Sequence, residues 1–135
     1  MDQKSLVIGQ IDLGRSIMEA CIEEGIDVAV ALWIRPSEDG NWYFYVATKL
    51  FEEQGAFMAI KAVLVALRKK NLFDLFDPLV DLKVIGARNP ITLDVLEIFR
   101  KFKFPLATRY RGNHLGQIAI EEAYLYPTPL AIGQP

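Results

Sequence analysis

The strongest constraint on this chain is the stretch Val28 to Ala47, which reads as a β-hairpin with aromatics on both faces. One strand is Val28-Ala29-Val30-Ala31-Leu32-Trp33-Ile34-Arg35, and the other is Trp42-Tyr43-Phe44-Tyr45-Val46-Ala47-Thr48. Side chains alternate across a strand with period two. Val28, Val30, Leu32 and Ile34 therefore share one face, and Ala29, Ala31, Trp33 and Arg35 the other. We expect the aliphatic face to lie beside Trp42, Phe44 and Val46, under helices. That pairing leaves Trp33, Tyr43, Tyr45 and Arg35 together on a second face. A lone hairpin is marginal in water, so the second face must also meet something. Three occupants suit it. The chain's own ends could cover it, either Leu6-Val7-Ile8 or the C-terminal tail. A second copy could cover it, because Trp, Tyr and Arg are enriched at interface centres. Single-stranded nucleic acid could stack on it, although the strand bodies carry few cations.

At 135 residues, 52% hydrophobic and 24% charged, the chain is long and apolar enough for one core and too apolar for disorder. We expect one α+β domain over 1–135, with 126–135 a proline-containing C-terminal arm. One cysteine, Cys21, permits no intrachain disulfide and suits a reducing compartment. The run Leu6-Val7-Ile8-Gly9 is too short for a secretory signal. The segment Ala56 to Leu67 is interrupted by Lys61 and falls short of the roughly 20 residues a bilayer span needs. A cytoplasmic setting without membrane contact is the expectation.

The remaining elements follow from helix and strand signals. Leu13 to Glu24 reads as a helix with Asp12 as its cap and Gly25 as its stop. Glu53 to Lys70 is apolar nearly all round, which marks it as the most buried helix. Leu79 to Ile85 alternates as a strand. Asn89-Pro90 opens a third helix, with Ile91, Val95, Ile98, Phe99 and Phe102 on its buried stripe and Pro105 at its end. Ala107 to Arg111 and Gln117 to Ala123 read as a strand pair around Gly112-Asn113. The order α-β-β-α-β-α-β implies an α+β fold. Its mixed or antiparallel sheet would hold four to five strands, with helices mainly on one face.

Charge is unevenly placed along the chain. Residues 1–67 hold 5 basic and 10 acidic side chains, whereas residues 68–114 hold 10 basic and 5 acidic. The densest polar segment is Thr108-Arg109-Tyr110-Arg111-Gly112-Asn113-His114, which contains the only histidine. Arg109 and Arg111 share a strand face, and guanidinium forks bind phosphate or carboxylate bidentately. With His114 they are the anion-site candidates. The competing reading pairs them with Glu121 and Glu122 across a terminal hairpin, as surface ion pairs of little energetic weight.

Other chemistry is thinly signalled. Asp81-Leu82-Lys83 has the spacing of metal-dependent nucleases, in which an acid holds Mg²⁺ and a lysine supports the attacking water. The preceding hairpin offers no carboxylate for the second ligand, so exposed strand polarity explains it better. One histidine and one cysteine make no zinc set. Cys21, among apolar neighbours, reads as a core thiol. Neither metal nor cofactor is expected.

The run Trp42 to Thr48, then Lys83-Val84-Ile85-Gly86 with Asn89-Pro90, then Thr108 to Gly112 and Ile120 to Pro127, is similar to a group of small uncharacterised bacterial proteins. The resemblance covers residues 26–127 and carries no catalytic signature. It implies a bacterial cytoplasmic setting and no established activity. The expectation is therefore a non-enzymatic interaction module, forming a homodimer through its sheet or hairpin face. The alternatives are a nucleic-acid-associated protein using the arginines, and a small metal-dependent hydrolase.

Overall fold

The hairpin forms, but one residue out of the expected pairing. In the computed structural model, which describes residues 8–38, 40–102 and 107–131, Trp33 opposes Phe44 and Leu32 opposes Tyr45. Ala31 and Trp33 thus share a face with Trp42, Phe44 and Val46. Val30, Leu32 and Ile34 share the opposite face with Tyr45 and Ala47. A one-residue slip moves every side chain to the other face. Here both faces are apolar, so hydrophobic pattern alone does not select the register.

The strands are β1 (Val30–Pro36), β2 (Tyr43–Thr48), β3 (Leu82–Gly86), β4 (Thr108–Tyr110), β5 (His114–Leu115) and β6 (Ile118–Tyr126). They form a six-stranded mixed sheet in the order β3-β2-β1-β6-β4, with β5 paired to β6. β2 and β3 are parallel, and every other pair is antiparallel. The fold is α+β, as expected from the element order. The terminal strands do not pair as an isolated hairpin. β6 instead runs to Tyr126 and inserts between β1 and β4.

Helices cover both faces. α1 (Ile8–Glu23) and α3 (Ala56–Lys69) supply Ile17, Cys21, Val63, Ala66 and Leu67 to the core on the Trp33 face. α5 (Pro90–Phe102) supplies Ile91, Val95 and Phe99 to the core on the Leu32 face. Among the described residues, two of the three long helices therefore share the Trp33 face, which the hairpin pattern left open, and the third buries the Leu32 face.

Local signals explain the helix ends. α1 already includes Ile8, so Asp12 lies within it rather than capping it. It closes as expected at Gly25, with φ +85°. There the Ile26 amide bonds to the Cys21 carbonyl and the Gly25 amide to that of Ile22, a Schellman arrangement. The expected second helix is broken at Gly55, φ +94°, into α2 (Leu50–Gln54) and α3. The expected strand from Leu79 begins instead with a helical turn, α4 (Pro78–Asp81), because Pro78 suits a first helical position. Asn89 caps α5, accepting the Ile91 amide at 2.9 Å. The arm also departs from expectation. Tyr126 is a buried strand residue, and buried Thr128 donates its hydroxyl to the Ala29 carbonyl at 2.7 Å. Residues 132–135 of that arm and Pro105 lie outside the described residues. Among the described residues no helix is long and apolar enough to cross a membrane.

Candidate functional site

The expected hairpin interface is not assembled. Trp33 is 2% exposed, under α1, and Tyr45 is 8% exposed, on the opposite face under α5. Tyr43 accompanies Tyr45, whereas Arg35 lies over the Trp42 ring at 5.8 Å. The cause is the register and the two-sided helix cover. Trp33 and Tyr45 complete two separate cores within one chain.

The arginine segment converges on one carboxylate. Arg109 Nη1 lies 2.7 Å from Glu122 Oε2, and Arg111 Nη2 lies 3.9 Å from the same oxygen. The Glu122 side chain is 11% exposed, against 39% for Arg109 and 77% for Arg111. A bulge aims Glu122 at this position. Arg35 opposes Glu122, but the next residue, Pro36, opposes Ile120, so β6 carries one extra residue. Strict alternation would put Ile120 on the Glu122 face. The bulge lets Ile120 reach the α5 core while Glu122 turns to the arginines. Arg109 also packs over the Tyr124 ring at 5.6 Å.

His114 and Glu121 stay outside this cluster. Leu115 takes the buried place in β5, so His114, its neighbour, faces solvent. Glu121 is exposed at the bulge. A cleft of about 310 Å³ lies beside the segment, lined by Ile98, Phe99, Thr108, Tyr110 and Gly112 with the two arginines. Alternation along β4 turns Thr108 and Tyr110 toward α5 and the Arg109 guanidinium away. The Tyr110 ring folds directly over Gly112, where a Cβ would collide with it.

The nuclease spacing also comes apart. Asp81 closes α4 while Lys83 lies in β3, so the two do not share a strand face. Burial first and then Asp77 raise the Asp81 carboxyl above its usual range, with Lys83 opposing. The Lys83 ammonium lies 5.1 Å from the centre of the Tyr43 ring. Among the described residues no group of three His, Cys, Asp or Glu side chains is placed to hold a metal ion.

The sequence reading missed a different surface. α3 turns its small residues, Ala59, Val63 and Ala66, to the sheet, and leaves Phe57 76% exposed. Met58, Ile60 and Val65 are exposed with it, as is Leu79 of α4 at 76%. Beside Ile60 and Leu79 runs an open groove of about 460 Å³, lined also by Tyr45, Leu64, Lys83, Val84 and Ile85, whereas Met58 and Val65 border a separate groove with Lys61 and Lys69. The first groove follows β3, the edge of the sheet. The signal was present in the sequence: a helix apolar nearly all round needs cover on every side. Among the described residues α3 is covered on one side.

Glu52 fixes one end of this edge. Its two carboxylate oxygens accept the Ala87 and Arg88 amides at 3.0 and 2.9 Å. Desolvation alone would raise the Glu52 carboxyl, but those amides outweigh it and hold the group below its usual range. Gly86 permits the approach, since a Cβ there would collide with the carboxylate.

No family model, curated protein or solved structure matches the chain.

Proposed function

We propose that this chain is a non-enzymatic interaction module that associates with a second copy of itself through the outer face of α3 and the adjoining edge of the sheet. One observation carries the reading. Phe57 and Ile60 stand exposed one turn apart on a single helix, and Ile60 continues with Leu64 and Leu79 into the largely apolar groove along β3. Contiguous apolar surface of this kind marks association sites. Charge placement favours a second copy as the occupant. Exposed Glu53 precedes α3 and exposed Arg68 ends it, while Glu52 is held by the Ala87 and Arg88 amides and Lys69 pairs with Glu24. Two such helices laid antiparallel bring the acidic end of each to the basic end of the other, which is the self-complementarity a two-fold interface requires.

The phosphate-binding alternative has less support, because Arg109 and Arg111 both reach Glu122 within the chain. The bacterial cytoplasmic setting belongs to the same proposal. A reducing compartment suits Cys21, a buried thiol that desolvation pushes up to about 12.

Light scattering tests the reading. Wild type is expected at twice the 15.3 kDa chain mass. A Phe57→Ser/Ile60→Ser variant is expected at the single-chain mass with unchanged far-UV circular dichroism. A wild type that stays at 15.3 kDa up to its highest soluble concentration overturns the proposal.

A further inference from the structure

The outer edge of β3 pairs with no strand among the described residues, and apolar side chains flank it on both faces of the sheet. We propose that two copies join antiparallel along β3 about a two-fold axis at Val84, so that their sheets become one continuous sheet. This rests on the self-association reading and specifies its geometry.

Backbone chemistry gives the first argument. An open edge strand presents a row of unpaired N–H and C=O groups that template another strand. Natural edges are commonly guarded by an outward lysine. Lys83 is the only charge in β3, and its ammonium is drawn back over the Tyr43 ring of its own chain. That leaves the Leu82–Gly86 backbone open to a partner strand.

Charge gives the second. Asp77 and Asp81 lie just before β3, and exposed Arg88 lies just after it. Antiparallel pairing centred on Val84 sets residue 81 of one copy opposite residue 87 of the other. Each Asp81 then lies beside the second copy's Arg88, twice over by symmetry. In the single chain Asp81 sits near Asp77, a like charge that raises its pKa after burial does. A neighbouring guanidinium would relieve that repulsion.

The helices give the third. α3 connects parallel strands β2 and β3 and runs antiparallel to both. Its Ile60 and Leu64 line the β3 side of the groove. A two-fold at Val84 lays the two α3 helices antiparallel on one face of the joined sheet. Ile60 and Leu64 then meet their counterparts, and the acidic and basic ends of α3 alternate as the charge argument requires.

A single introduced cysteine tests the register. On the axis, the two copies of Val84→Cys lie opposite each other with Cα atoms about 4.5–5.5 Å apart, within disulfide range. The two copies of Lys83→Cys are offset by two residues and roughly 8 Å apart, beyond the range of about 7 Å. Both substitutions are mild, at a half-buried and an exposed position. Cys21 does not compete, since it is buried and its thiol is pushed up to about 12. Under mild oxidation Val84→Cys is expected to give a reducible dimer on a denaturing gel and Lys83→Cys to stay single-chain. If Lys83→Cys cross-links and Val84→Cys does not, the register is wrong and the inference falls. If neither cross-links while wild type has the mass of a dimer, the edge pairing falls and self-association through α3 stands. If wild type is monomeric, both fall together.

Discussion

The indole of Trp33 donates to the Tyr126 hydroxyl across 3.2 Å, tying the hairpin to the last strand. The same N–H also reaches the Gln10 carbonyl at 3.1 Å, and the Tyr126 hydroxyl donates to the Ile11 carbonyl at 2.6 Å. Both polar tips of two buried aromatics are thereby satisfied by the first turns of α1. The helix comes this close because residue 14 is glycine. A Cβ there would meet the Tyr126 hydroxyl, the Trp33 indole nitrogen and the Phe44 ring.

Gly14→Ala is therefore expected to destabilise. Alanine is the better helix former by about 1 kcal/mol in a free helix. Overpacking against three large aromatic side chains costs about 1–3 kcal/mol. The net should be a loss on the order of 1 kcal/mol or more. A urea denaturation midpoint for Gly14→Ala at or above that of wild type would show that α1 can shift away.

Replacing Trp33 and Tyr45 by serine separates core from interface. Each ring fills a different core, so the two losses should add, at about 3–5 kcal/mol for each large aromatic. Against a total stability of roughly 5–15 kcal/mol, the double variant should be mostly unfolded by circular dichroism. A folded monomer would instead return these residues to the dimer surface.

The fold class, the Gly25 stop and the Asn89-Pro90 start were legible in the chain because each is a local signal. Register was not. Val30, Leu32 and Ile34 on one face and Ala31 and Trp33 on the other are all apolar, and the connection between the strands leaves a one-residue slip open. The bulge at Glu121 was hidden for a similar reason. Ile120-Glu121-Glu122 reads as plain alternation, and only the pairing of Pro36 with Ile120 reveals the extra residue. The convergence of Arg109 and Arg111 on Glu122 was legible as an option, since opposite charges on neighbouring strands suggest it. The exposed surface around Phe57 was not legible, because apolar residues nearly all round a helix read as deep burial.

Glu122→Gln should weaken the fold without touching the sheet pattern. It removes the carboxylate that Arg109 meets at 2.7 Å and leaves a partly buried guanidinium with a weaker acceptor. A fully buried pair broken on one side costs about 3–5 kcal/mol. Arg109 is 39% exposed and partly served by solvent, so about 1–2 kcal/mol is expected. Thermal denaturation checks this, and an unchanged midpoint would make the pair a surface contact.

Alkaline pH should destabilise the fold through Cys21. Burial raises its thiol from 9.0 to about 12. The unfolded chain thus loses a proton at lower pH than the folded one. The stabilisation is full below pH 9 and declines between 9 and about 12, by up to about 1.4 kcal/mol per pH unit. Tyr126, also raised chiefly by burial, adds to the decline at the upper end. Urea titrations at pH 8 and at high pH should show a smaller loss for Cys21→Ala than for wild type. Equal losses would assign the whole alkaline effect to other groups.

Exchanging charges at the edge of the sheet should switch the dimer off and on. Asp81→Arg puts two cations together at each end of the proposed β3 pairing, and Arg88→Asp puts carboxylates together. An exposed ion pair contributes up to about 1 kcal/mol, and the two-fold supplies two of them. Each single variant should therefore raise the dimer dissociation constant on the order of tenfold, since about 1.4 kcal/mol is a factor of ten. The double variant restores opposite charges in reversed positions, and its dissociation constant by sedimentation should return toward that of wild type. Asp81 lies near Asp77 and Arg88 near Glu52 within each chain, so the single changes also alter local fields. Only recovery in the double variant, beyond the sum of the single effects, identifies contact between the two residues across copies. A double variant as weak as either single one would place the two charges apart and the axis away from Val84.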